Sequence, residues 1–246
     1  MKAAMRYVGG AYRRVARFFN AATATRECPL CGWRGKEFRQ VIYPEKPQPT
    51  LECPQCGSVE RHRPAFCLLD RVLGKDNVTL HIAPESSVEQ WLRSVSADYL
   101  SADLSSPAAM LHMDVTDMPL EDARFTLVWC SHVLEHIVDD SKAISEIYRV
   151  LRPGGRAVIQ VPVYGATTYE DWAITSPEDR LKHFKQEDHV RLYGLDVADR
   201  LRSSGFEVDV MTDESVPEDK AKRYGLFYPS TREVFVCVKP SDLVPA

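Results

Sequence analysis

From residue 78 onward, short apolar runs alternate with longer amphipathic stretches. The runs at 78–83, 98–102, 125–130, 156–161, 206–211 and 233–238 predict strands. The stretches at 86–95, 141–151 and 190–203 predict helices. Ser86 and Glu89 stand at capping-box spacing at the start of the first, and the second stops at Arg152-Pro153-Gly154-Gly155. Alternation of this kind predicts an α/β fold, a mostly parallel sheet with helices on both faces. Such sheets bind ligands beyond the carboxyl ends of their strands, at the point where the strand order reverses. Before residue 78 the pattern differs. Residues 2–19 predict a helix with Met5, Val8, Tyr12, Val15 and Phe19 on one face and Arg6, Arg13 and Arg17 opposite. Gly9-Gly10 weakens it. Its apolar face fits docking on the protein itself or on a second subunit, as in a homodimer; the alternative is peripheral contact with an anionic membrane.

The chain has 246 residues, 44% hydrophobic and 27% charged, enough for one full-sized domain and a small one. No apolar run reaches the length of a membrane span. Charge sharpens the division: residues 1–75 carry 14 Lys/Arg against 6 Asp/Glu, the remainder 17 against 29. A basic N-terminal part therefore adjoins an acidic one. Basic residues suit phosphates, a membrane surface or the acidic neighbour, and docking is the default expectation.

Four of the seven cysteines repeat one short pattern, Cys28-Pro29-Leu30-Cys31-Gly32 and Cys53-Pro54-Gln55-Cys56-Gly57. Two thiolates at that spacing reach one ion, and two such pairs make a closed four-thiolate site on a small β-ribbon. The expectation is structural zinc at Cys28, Cys31, Cys53 and Cys56, with nearby His62 a surface residue. Arginines interrupt any apolar stretch near the start, which argues against a signal peptide, and Cys67, Cys130 and Cys237 read as buried thiols. The expected compartment is cytoplasmic.

Three features fall at the predicted strand ends: His81-Ile82-Ala83-Pro84-Glu85, where a helix offers free amides to an anion; Asp103; and Asp114-Val115-Thr116-Asp117. Together they suit a nucleoside ligand. Taken singly, each aspartate reads as a cap or turn residue.

Three runs change this picture. Met113-Asp-Val-Thr-Asp-Met-Pro-Leu, Phe125-Thr-Leu-Val-Trp-Cys-Ser-His-Val-Leu-Glu-His136 and Tyr148-Arg-Val-Leu-Arg-Pro-Gly-Gly155 resemble the class I S-adenosylmethionine-dependent methyltransferases, type 11-like, over roughly residues 78–240. The resemblance implies a Rossmann-like sheet whose last strand is antiparallel. It implies S-adenosylmethionine as cofactor, with Asp103 and adjacent Leu104 at the ribose, Asp114 at the adenine, Val115 giving a backbone contact, and Ser131 and His132 at the methionine end. It implies that the loop Ala83-Pro84-Glu85 borders the cofactor, although His81 stands where the family has an acid and Ala83 where it has a glycine. Proline removes an amide there and Glu85 adds negative charge. Either the loop is rebuilt, with Ser86 or Ser87 supplying contacts, or cofactor binding is weak or lost; the rebuilt loop is the expectation. The domain layout that follows is an amphipathic helix at 1–22, zinc ribbon and linker helix at 23–75, and methyltransferase domain at 76–246 with an acceptor-site insertion at about 164–193.

Methyl transfer requires alignment of acceptor and methyl group, and a base if the acceptor is a hydroxyl. No Asn/Asp-Pro-Pro-Tyr follows the strand at 125–130, which argues against nucleobase-amine and glutamine acceptors. Imidazoles are present instead: His132, His136 and the pair Asp188-His189, where an adjacent acid can raise basicity and makes His189 the candidate general base. The insertion carries Tyr164, Tyr169, Trp172 and Phe184 among Arg180, Lys182, His183, Lys185 and Arg191, which suits a polar ring. The runs at 176–180 and 186–194 resemble a bacterial subgroup of zinc-ribbon methyltransferases. The leading expectation is O-methylation of a saccharide or small hydroxylated metabolite. RNA methylation, with the ribbon gripping phosphates, comes second, because the acidic part argues against RNA across the site. A binding protein that has lost catalysis comes third.

Overall fold

The computed structural model describes residues 23–42, 50–69, 76–226 and 232–241. The helix expected at 2–19 lies outside the described residues, as does the end of the linker.

The described N-terminal part is two small antiparallel ribbons and a helix. β1 (Arg26–Glu27) pairs with β2 (Arg34–Gly35), and β3 (Arg39–Val41) with β4 (Thr50–Glu52). Helix α1 (His62–Leu69) follows. The rest alternates: β5 (Asn77–Ile82), α2 (Ser86–Ser94), β6 (Ser96–Asp103), β7 (Leu111–His112), β8 (Phe125–Ser131), α3 (Asp140–Val150), β9 (Leu151–Gln160), α4 (Pro177–Phe184), α5 (Val197–Ser203), β10 (Glu207–Met211), α6 (Glu218–Tyr224) and β11 (Val234–Val238).

Seven strands make one sheet in the order β10-β11-β9-β8-β5-β6-β7. β5 to β9 pair in parallel, while β11 runs antiparallel to both its neighbours. The chain winds outward from β5 to β7, then returns to place β8 on β5's other side. The switch point is therefore at the carboxyl ends of β5 and β8.

Strands buried on both faces need apolar residues at successive positions, and these have them. Leu80, Val128, Cys130 and Ile159 face Ile144 and Ile147 of α3 and Leu201 of α5. Leu127, Trp129 and Val158 turn the other way onto Trp91 and Leu92 of α2 and Ala65 of α1. The N-terminal helix thus closes one face of the sheet.

Three expectations about elements change. Ser86 opens α2 rather than capping it; Glu85 is the N-cap residue and makes no side-chain cap bond. The segment 190–196 is not helical. Val163 bridges Tyr193 and Tyr169 bridges Leu192, and α5 begins only at Val197. The helical spacing of its apolar residues is overridden at Gly194, where a Cβ would lie 2.4 Å from the backbone of Thr167. Residues 152–155 do not simply end α3. They bulge out of β9 where its register against β8 shifts, with Gly154 at φ +76°.

The two parts touch through charged groups. Arg223 pairs with Glu27 at 2.7 Å, Arg26 donates to the Lys222 carbonyl at 2.7 Å, and Arg63 donates to the Gly225 carbonyl at 3.0 Å. Among the described residues no helix is long and apolar enough to cross a membrane.

Candidate functional site

At the switch point β5 ends in Ile82, and Ala83 adopts φ +52°, in the left-handed region. Its amide donates to the Ala102 carbonyl of β6 at 2.8 Å. The turn opens onto a cleft. Five of the eight residues expected at the cofactor line it: Ala83, Asp103, Leu104, Asp114 and Val115. Met113, Val133 and Ile137 complete an apolar wall. Asp103 Oδ1 accepts from the Ser105 and Ser106 amides at 2.8 and 2.7 Å, which fixes the carboxylate's orientation at the strand end. Asp114 Oδ1 accepts from the Thr116 amide and hydroxyl, both at 2.8 Å, and these bonds hold its pKa below the usual carboxylate value.

Pro84, Glu85 and Ser131 do not line this cleft. Ser131 is buried at the end of β8, 3.4 Å from Gln160 Oε1. Glu85 turns towards α1, where it pairs with Arg61 and, at 2.9 Å, with His62 Nε2. Burial works to raise the Glu85 pKa, but the His62 and Arg61 contacts outweigh it and hold the carboxyl well below its ordinary value. The charge that Glu85 brings is thereby compensated. His62 is not a surface residue: it is 5% exposed, and its Nδ1 lies 3.1 Å from Ser87 Oγ. The first turn of α1 lies against the start of α2, so the ribbon side of the molecule braces the loop after β5. His81, in place of the family's acid, is buried against Trp129 with Nδ1 2.8 Å from the Tyr99 hydroxyl. Burial lowers its pKa to about 4.

The expected catalytic histidines gather beyond β8. His132, at φ +55°, places Nδ1 3.1 Å from Glu135 Oε1. Glu135 is one residue before His136 in a short 3-10 turn, and sequence reasoning overlooked it; the His132 spacing of three was the available signal. His136 Nδ1 lies 3.2 Å from Asp188 Oδ2, and its ring lies 4.8 Å from that of His189. The structure therefore pairs Asp188 with His136 and not with its neighbour. His189 is 2% exposed and its Nδ1 donates to the Phe184 carbonyl at 3.1 Å. Burial lowers its pKa.

In the insertion, Tyr164, Tyr169 and Trp172 are exposed as a cover would require, but Phe184 and Arg191 are buried. Arg191 donates to the Ile137 and Val138 carbonyls at 2.7 and 2.9 Å and pairs with Asp140 and Glu170. It anchors the insertion to the turn that bears Glu135 and His136.

In the N-terminal part, the sulfurs of Cys28, Cys31, Cys53 and Cys56 all lie within 4.8 Å of one another. The Cys28–Cys56 and Cys31–Cys53 distances are 3.7 Å. Metal–sulfur bonds of about 2.3 Å in a tetrahedron put sulfurs about 3.8 Å apart. Gly32 and Gly57, at φ +70° and +73°, close the two turns by donating to the Cys28 and Cys53 carbonyls. Both conformations favour glycine.

Residues 64–159 match the family described as "Methyltransferase domain". This is a Rossmann-like methyltransferase fold. Tocopherol O-methyltransferase of Arabidopsis thaliana is 38% identical over 63 residues, 23% of this chain and 18% of that protein. A probable S-adenosylmethionine-dependent methyltransferase of Mycolicibacterium smegmatis is 30% identical over 124 residues, 48% of this chain and 44% of that protein. The chain thus spans less than half the length of either curated relative. In structure, the Burkholderia thailandensis 1,6-didemethyltoxoflavin-N1-methyltransferase, solved with bound 1,6-didemethyltoxoflavin and S-adenosylhomocysteine, superposes with a TM-score of 0.50 at 19% identity, over 74% of this chain and 79% of that one. The methyltransferase-domain match covers β5 to β9, the strands whose ends form the cleft, and takes in most of α1.

Proposed function

We propose that the chain is an S-adenosylmethionine-dependent methyltransferase acting on a hydroxyl of a saccharide or small metabolite. One observation carries the reading: a cleft at the switch point lined by a fixed carboxylate at the end of β6, a second acid after β7 and an apolar wall between them. That lining fits a nucleoside, with Asp103 towards ribose hydroxyls, Asp114 towards the adenine edge, and Met113, Val115 and Ile137 packing its faces. The cofactor supplies an electrophilic methyl group on a sulfonium. The chain's own residues hold the acceptor and take its proton. His132 suits the proton transfer, because Glu135 accepts its Nδ1–H and leaves Nε2 as the basic nitrogen. The exposed Tyr164, Tyr169 and Trp172 suit a polar ring acceptor. The matched relatives whose names state an acceptor support a small molecule over RNA.

The four-cysteine cluster fits a structural zinc ion: its sulfurs already stand near tetrahedral separation, and four protein ligands leave no open position for chemistry. The domain layout consistent with both readings is a zinc ribbon and linker at 23–75 followed by a methyltransferase domain from residue 76.

Transfer of an isotopically labelled methyl group from S-adenosylmethionine into a panel of small hydroxylated compounds tests the function. Label appears on an oxygen, and His132→Ala cuts the rate about a hundredfold with cofactor affinity unchanged. Label entering RNA and none of the small acceptors, or an undiminished rate in His132→Ala, contradicts the respective assignment.

A further inference from the structure

The turn after β8 and the end of the insertion bring three metal-ligating side chains together. Glu135 is 1% exposed. Its Oε1 receives His132, while its Oε2 is buried without a hydrogen-bond partner. His189 donates from Nδ1 to the Phe184 carbonyl, so its buried Nε2 bears a lone pair, and no donor meets it. His136, partly exposed, has Nδ1 3.2 Å from Asp188 Oδ2. One ligand atom from each of Glu135, His136 and His189 lies within 4.8 Å of the other two. The Val190 amide donates to the Glu135 carbonyl at 2.9 Å and pins the two segments together.

Buried acceptors facing one another with no donor between them are costly, the more so when one belongs to a carboxylate. His189 has already committed its N–H to Phe184, and among the described residues no donor reaches its Nε2 or Glu135 Oε2; a cation satisfies both. The outer contacts resemble the pattern by which proteins orient metal ligands: one imidazole donates to a backbone carbonyl, the other lies at ion-pair distance from a carboxylate, and the ligating carboxylate is itself hydrogen-bonded. We propose that Glu135, His136 and His189 bind a divalent transition-metal cation, at a site separate from the four-cysteine cluster.

Two imidazoles and one carboxylate suit Zn²⁺, Mn²⁺, Fe²⁺ or Co²⁺ better than Ca²⁺ or Mg²⁺. Metal–ligand distances of about 2.1 Å bring tetrahedral neighbours to about 3.4 Å, so the cluster, already within 4.8 Å, contracts by at most about 1.4 Å, the scale of a small side-chain rotation. Three protein ligands leave coordination positions open. Val133 and Ile137, which flank Glu135 and His136 on the same turn, line the cleft. An acceptor oxygen held at the open positions would therefore sit beside the methyl donor, its hydroxyl acidified by the cation. This role rests on the methyltransferase reading; the metal site itself does not.

The test uses the full chain carrying one zinc per chain for the cysteines and freed of excess zinc, titrated with Mn²⁺, which favours oxygen and nitrogen over thiolate. Free Mn²⁺ is followed by electron paramagnetic resonance, and circular dichroism checks the fold of each variant. One Mn²⁺ binds per chain. His136→Ala, at a partly exposed position, weakens it at least tenfold, as does Asp188→Asn, which removes only the outer support of His136. Glu135→Gln abolishes it. Absence of Mn²⁺ binding up to millimolar concentration, or wild-type affinity in folded His136→Ala, overturns the proposal. Separate calorimetry with S-adenosylmethionine distinguishes its failure from that of the methyltransferase reading, since Mn²⁺ binding requires no cofactor.

Discussion

Two single residues show how the loop after β5 is adapted. Ala83 holds a left-handed conformation that a glycine would adopt without strain. Ala83→Gly is therefore tolerated, whereas Ala83→Val, β-branched at positive φ, costs about 2 kcal/mol in chemical denaturation. His81 is held neutral by burial, with a pKa of about 4 against an ordinary value of 6.5. Below pH 6.5 the unfolded chain binds a proton that the folded chain refuses, so stability falls as pH drops from 6.5 towards 4 and then levels off. Between pH 7 and pH 5 this residue accounts for a loss of about 2 kcal/mol. Denaturant titrations at the two pH values check it, and His81→Asn flattens that part of the profile. The placement of Asp103 and Asp114 beyond the strand ends, where both line the cleft, was legible in the sequence, because the apolar runs before them mark the strands. The roles of Glu85, His62 and Glu135 were not, because each is defined by a partner across the fold or hidden in a turn.

At the scale of elements, the parallel strands were readable because both of their faces are apolar. The insertion was not. Its helical spacing from Val190 to Leu201 is broken by a backbone contact at Gly194, and no periodicity announces a contact 27 residues back, at Thr167. What holds the insertion in place is Arg191, 1% exposed, spanning three carbonyls and two carboxylates. Arg191→Met leaves those groups uncompensated, Asp140 among them. The expected cost is about 3–5 kcal/mol in unfolding experiments, with a matching loss of the His189 alignment. The ribbons depend in the same way on their cysteines. Prolonged chelation removes one zinc per chain, measured by atomic emission, and lowers the thermal midpoint; Cys28→Ser prevents zinc retention.

In the whole molecule, the contact between the two parts follows the charge asymmetry of the sequence at one ion pair only, Arg61 with Glu85, while Arg223 with Glu27 runs the other way. The basic N-terminal part meets the acidic part through Arg26, Arg61 and Arg63 on one side and Arg223 on the other, and the contact at Glu85 reaches the cofactor loop. Docking places one cation of the basic part, Arg61, on an acid of the other part. It also makes the ribbon a brace for the cleft, since α1 packs on the sheet and on the start of α2. Everything else in the account depends on the cleft holding S-adenosylmethionine despite its altered loop. Isothermal calorimetry with S-adenosylmethionine tests this most directly. The account predicts binding at one site per chain, weakened at least tenfold by Asp103→Ala. No heat of binding at millimolar cofactor, or an Asp103→Ala variant that binds as the unaltered chain does, would contradict it.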